Sequence, residues 1–165
     1  MFKKDVYIER RRKLKQKVNG GLIVLMGNGE TPMNYPGNDY LFRQDSTFLY
    51  YFGLDMPDLI GIIDVDNDKE YIFGDDVELE DIIWMGPQPS MKELSQEVGV
   101  ENSHPTKELS DFLKKTKNKG QRIHVIPFHR GDNIIKFANL MDIHHSETEK
   151  FVSEELIKAI IEMRS

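Results

Sequence analysis

Asn19-Gly20-Gly21-Leu22-Ile23-Val24-Leu25-Met26-Gly27-Asn28-Gly29 sets a continuous apolar run between two glycine-containing breakers. The run is too short for a buried helix and contains the β-branched pair Ile23-Val24, so it reads as a strand covered on both faces. Upstream, Asp5 is placed to cap a helix reaching about Val18, with Tyr7, Leu14 and Val18 as a narrow apolar stripe. Helix then strand is the opening of an α/β unit.

Downstream, Leu59-Ile60-Gly61-Ile62-Ile63-Asp64-Val65 meets the turn Asp66-Asn67-Asp68, and Glu70-Tyr71-Ile72-Phe73 follows as its hairpin partner. The aromatic segment Phe48-Leu49-Tyr50-Tyr51-Phe52, ended by Gly53, reads as another strand on β propensity. A short helical piece over Leu79 to Trp84 stops at Gly86-Pro87-Gln88-Pro89, and Ser90-Met91-Lys92-Glu93 has the form of a capping box. Thr106 is placed to cap a helix with Leu109, Phe112 and Leu113 on one side, and Ile123-His124-Val125-Ile126 is strand-like. Asp132 is placed to cap a helix carrying Ile134, Ile135, Ala138 and Met141. Ser153 to Arg164 is a last helix with Leu156, Ile157, Ile160 and Ile161 on its stripe. The order predicts one α/β domain over residues 1–165, with a mixed central sheet flanked by helices on both faces. Neither Gly nor Pro follows Arg164, so the polypeptide is expected to continue beyond Ser165.

The 165-residue chain is long enough for a real core, and its 39% hydrophobic and 30% charged residues are a globular balance. Cysteine is absent, which removes disulfides, thiol nucleophiles and thiolate metal sites and favours a reducing compartment, the cytoplasm. No apolar run approaches the roughly 18 residues of a membrane span. The net charge of −6 argues against nucleic-acid binding, and the basic run Arg10-Arg11-Arg12-Lys13 with Lys15 and Lys17 is read as a solvated helix surface.

Candidate chemistry is sparse. His104, His124, His129, His144 and His145 show no metal-ligand spacing, and adjacent His144-His145 would diverge in regular structure. The acidic residues Asp75, Asp76, Glu78, Glu80 and Asp81 lack the spacing of a calcium loop and read as solvated loop and helix-start charges. No serine sits in a nucleophile elbow, and Gly27-Asn28-Gly29 lacks the rest of a nucleotide fingerprint. Two aromatic features remain. Arg43 stands within a run dense in aromatics and needs a partner such as Asp39 if it is buried. Trp84, the single tryptophan, stands at a helix end, where core packing and interface use are equally open.

Asn38-Asp39-Tyr40-Leu41-Phe42-Arg43-Gln44-Asp45-Ser46-Thr47-Phe48-Leu49-Tyr50-Tyr51-Phe52-Gly53 resembles the signature of the amino-terminal domain of Xaa-Pro aminopeptidases (aminopeptidase P). The Arg10-Arg11 pair, Ile83-Trp84-Met85-Gly86 and Ile161-Glu162-Met163-Arg164 fall where that family has similar features. The resemblance implies a non-catalytic domain that precedes a pita-bread catalytic domain. The catalytic domain holds two divalent metal ions, commonly manganese, which activate water against the Xaa-Pro bond. It further implies homo-oligomer contacts and a wall of the active-site entrance, with Trp84, Asp39 and Arg43 as the matching positions and Xaa-Pro peptides as substrates. A catalytic residue or metal ligand within this chain is not expected. Met33-Asn34-Tyr35-Pro36-Gly37 and Pro87-Gln88-Pro89 depart from the family pattern around the entrance. The same domain plan occurs in Xaa-Pro dipeptidases, creatinase-like hydrolases and non-catalytic peptide- or histone-binding modules, which stay open as alternatives.

Overall fold

Five strands form one mixed sheet in the order β4-β3-β2-β1-β5. They are β1 (Leu22–Met26), β2 (Ile60–Asp64), β3 (Lys69–Phe73), β4 (Asn102–His104) and β5 (Ile123–His124) in a computed structural model that describes residues 2–30 and 42–164. The central strand β2 runs antiparallel to β1 and β3, whereas β1–β5 and β3–β4 are parallel pairs. Four strands therefore point one way and β2 alone points back. The expected run and hairpin form β1, β2 and β3. β4 was not anticipated, because Asn102-Ser103-His104 has no apolar alternation to announce it.

Each strand supplies both faces, as the period of two requires. Ile23, Leu25, Ile63 and Ile72 join one core with Tyr7 and Leu14 of α1 (Lys4–Lys17), Phe48 and Tyr51 of α2 (Ser46–Phe52), and Leu156 and Ile160 of α7 (Glu154–Arg164). Leu22, Val24, Ile60, Ile62 and Phe73 join a second core with Leu109 and Leu113 of α5 (Leu109–Asn118) and Phe137 and Met141 of α6 (Gly131–Met141). Helices thus cover both faces of the mixed sheet, which is the predicted architecture.

The segment expected as an aromatic strand is the helix α2. Asp45 caps it by accepting the Phe48 amide at 2.9 Å, and Gly53 closes it in the left-handed region at φ 67°. Phe48 and Phe52, four residues apart, stack with ring centroids 5.3 Å apart on the buried side. A cap, a left-handed glycine and helical spacing of the aromatics override β propensity here. Gly53 has a second reason to be glycine, because a Cβ would run into the Tyr7 ring.

Other local expectations are corrected. Asp5 lies inside α1, whose N-cap is Lys3. Thr106 starts a 3-10 turn ahead of α5, and its amide and hydroxyl both bind Asp75, at 2.9 and 2.6 Å. Arg130, not Asp132, is the N-cap of α6, and Ile135 of α6 and Ile161 of α7 face outward because the buried stripes run one position aside. The capping box holds as read: the Ser90 hydroxyl accepts the Glu93 amide at 3.1 Å and opens α4 (Met91–Glu97).

The basic run is not uniformly solvated. Arg11 is completely buried; its guanidinium donates to the Tyr51 and Val98 carbonyls, each at 2.7 Å, and pairs with Glu70 at 3.5 Å. Burial pulls its pKa down while Glu70 pushes back. Arg10 stacks over Tyr50 at 3.9 Å and donates to the Tyr50 carbonyl. These two arginines tie α1 to α2.

Candidate functional site at the carboxyl edge of the sheet

The registers Met26↔Ile60, Ile60↔Phe73 and Phe73↔His104 bring the ends of β1, β3 and β4 to one edge, and parallel β5 ends there as well. In an open α/β sheet this is the edge where loops gather to meet ligands. Four described stretches leave it: the exit of β1 with the return through Arg43, the link from β3 to α3 (Leu79–Met85), the link from β4 to α5, and the link from β5 to α6.

At the exit of β1 the backbone is held closely. The Gly27 amide donates to the Leu59 carbonyl at 2.8 Å, and a Cβ on Gly27 would press on that carbonyl and on Gln44 Oε1. The Asn28 amide donates to Gln44 Oε1 at 2.9 Å, and Asn28 Nδ2 to the Arg43 carbonyl at 3.0 Å. Asn133 of α6 reaches Asn28 Oδ1 at 3.3 Å, and Arg130 reaches the Gly29 carbonyl at 3.4 Å while pairing with Asp132 at 3.0 Å. A polar knot thus joins β1 to the start of α6 and leaves a void of about 20 Å³, large enough for about one water. It is a structural joint and not a ligand cavity.

Arg43 is exposed, so the demand for a buried partner does not arise. Its guanidinium makes no ion pair among the described residues. Asp39, its expected neighbour, lies outside the described residues. Trp84 is 88% exposed, on a helix whose Leu79, Ile83 and Met85 are also exposed and which buries no residue completely. The choice between core and surface for Trp84 is settled for the surface of this chain. Gln44, by contrast, stands in the sequence only as a position of the signature run, with no role assigned to it.

The remaining titratable candidates are structural. His124 is buried between Ser153 and the Gly20 carbonyl, and burial lowers its pKa. The rings of His144 and His145 do not diverge: they lie 4.1 Å apart, because the chain turns there from an extended residue into a 3-10 helix. Asp75 and Asp76 are not merely solvated. Asp76 accepts the Met91 amide at 2.7 Å and, with Asp75 on Thr106, fastens the loop after β3. Among the described residues no group of three or more His, Asp or Glu could hold a metal ion. No described helix is long and apolar enough to cross a membrane.

The comparisons with known proteins match this fold. The family model for the aminopeptidase P N-terminal domain matches residues 7–125. The Xaa-Pro dipeptidase of Homo sapiens is 31% identical over 109 residues, covering 66% of this chain and 22% of that protein. A probable Xaa-Pro aminopeptidase PEPP of Leptosphaeria maculans is 29% identical over 130 residues, covering 78% and 20%. Among solved structures, the low-pH form of E. coli aminopeptidase P superposes with a TM-score of 0.72 at 17% identity, covering 86% of this chain and 33% of that one. Pseudomonas aeruginosa aminopeptidase PepP gives 0.70 at 18%, covering 92% and 35%. The chain spans about a fifth of these curated relatives and about a third of these solved chains.

Proposed function

Because the chain belongs to the aminopeptidase P N-terminal domain family, we propose that it is the non-catalytic amino-terminal domain of a metal-dependent Xaa-Pro aminopeptidase, walling the entrance to the active site. The observation that carries this reading is α3. Leu79, Ile83, Trp84 and Met85 present large apolar surface from a seven-residue helix with nothing among the described residues burying it. Such a patch suits an interface or a ligand wall better than a free surface. An indole that is uncovered here can pack on a peptide entering a neighbouring catalytic centre, or on a second copy of the chain in a homo-oligomer.

Hydrolysis itself is assigned to a downstream pita-bread domain. That domain would hold the paired divalent ions, read as manganese, and the chemistry they would supply is water activation and polarisation of the scissile carbonyl. Asp39 and Arg43 are assigned to the same entrance, on their place in the signature and on the exposure of Arg43. The parent enzyme is read as cytoplasmic on the cysteine-free composition of this chain. The identity with a Xaa-Pro dipeptidase supports a second reading, in which the parent cleaves only dipeptides.

The test joins this chain to its downstream domain and compares the parent enzyme with Trp84→Ala on Xaa-Pro dipeptides and longer peptides. Trp84→Ala should lower kcat/KM by about tenfold on the longer peptides, with thermal stability unchanged because the residue is 88% exposed in this domain. Unchanged kinetics on every peptide length would remove Trp84 from the entrance. Cleavage confined to dipeptides would favour the second reading.

A further inference from the structure

Gln44 uses every hydrogen-bonding position that a side-chain amide has. Its Oε1 accepts the amides of Asn28 at 2.9 Å and Asp45 at 3.0 Å. Its Nε2 donates to the carbonyls of Leu54 at 2.9 Å and Met56 at 2.8 Å. Two donors on one side and two acceptors on the other allow only one orientation of the group. The four partners come from the exit of β1, the start of α2 and the return from α2 to β2. Asn28, itself held by Gln44, donates in turn to the Arg43 carbonyl. The Arg43 carbonyl is thereby held by Asn28 beside the Gln44 amide, while the residue itself is exposed.

We propose that Gln44 is a positioning residue for the entrance: its amide sets Arg43 at the carboxyl edge of the sheet without touching substrate. The proposal rests on the entrance reading above. A glutamate there keeps the shape but replaces the two-donor nitrogen with a single oxygen facing both the Leu54 and Met56 carbonyls. A methionine keeps the length and makes none of the four bonds. The repulsion should hold the introduced carboxyl protonated to a higher pH than an ordinary carboxyl, and protonation returns one donor.

The parent enzyme, with its downstream domain, is compared with Gln44→Glu, Gln44→Met, Arg43→Ala and the double Gln44→Glu/Arg43→Ala. Each Gln44 variant should raise KM for a Xaa-Pro peptide by about tenfold and leave kcat within about twofold. The double should be no worse than Arg43→Ala, and acidification should recover part of the KM of Gln44→Glu but not of Gln44→Met. In the 165-residue chain, Gln44→Glu should speed amide exchange at Asn28 and Asp45 by about tenfold while the centre of β1 stays protected. Faster exchange with unchanged KM, or an additive double, would reduce Gln44 to a fold residue and overturn the proposal, as would unchanged exchange. A parent enzyme that cleaves no Xaa-Pro peptide would instead sink the entrance reading, and the substrate role of Gln44 with it.

Discussion

Arg11 shows how one residue can join three distant segments. Its partners Tyr51 and Val98 lie 40 and 87 residues away, and Glu70 holds the third side of the guanidinium. Arg11→Met should lower the unfolding free energy by roughly 2–4 kcal/mol, because the Tyr51 and Val98 carbonyls lose their donor in the interior while Glu70 keeps Lys15 at 3.0 Å. Arg11→Lys should rescue little, since an ammonium cannot span the fork. Urea unfolding measures both, and a loss below about 1 kcal/mol for Arg11→Met would contradict the account. Part of this was legible, because Arg11 falls four residues after Tyr7 on the Tyr7-Leu14 face of α1. Its partners were not legible, since nothing local marks the Tyr51 or Val98 carbonyl as an acceptor. Trp84 was legible as a candidate from its rarity and its position at a helix end, yet its exposure depends on what α3 fails to touch.

Between elements, His124 fastens β5 to the chain entering β1 and to the cap of α7. The Gly20 carbonyl can only accept, at 2.9 Å, so Nε2 carries the proton and Nδ1 accepts the Ser153 hydroxyl at 2.7 Å. Ser153 Oγ then accepts the Leu156 amide at 3.1 Å, which opens α7. Burial lowers the His124 pKa below the ordinary 6.5, with Arg122 lowering it further and Glu155, Asp66 and the Gly20 carbonyl raising it. For a base with a depressed folded pKa, the unfolded chain binds the proton first. Its stabilisation is therefore complete above about pH 6.5 and is lost as pH falls through the folded value. Urea titrations across this window should show that slope in the parent chain and a flatter one in His124→Gln; superimposable profiles would discard the assignment. The α2 helix teaches a different lesson at this scale. Its aromatic run has strand propensity, and the signals against it, Asp45 and Gly53, were present in the sequence but weaker than composition.

For the whole molecule, the domain covers both faces of its sheet yet leaves α3 bare, the pattern of a unit that works against something else. The 165-residue chain, supplied with manganese and a Xaa-Pro peptide, should show no turnover above the metal-only control. Robust hydrolysis by the chain alone would overturn its non-catalytic role. The strands β1 and β5, the β2–β3 hairpin and helices on both faces follow from the sequence alone, whereas β4 and the helical state of α2 do not. The apolar runs at Leu22–Met26 and Ile60–Asp64 and the Asp66-Asn67-Asp68 turn act over a few residues, and local periodicity records such interactions directly. The signature around Arg43 likewise pointed to the family before any coordinates. The buried place of Arg11, the Gln44 clamp and the uncovered face of α3 were decided only by tertiary structure. Each depends on backbone groups or empty space contributed by segments far away in the chain, which no spacing along the sequence encodes.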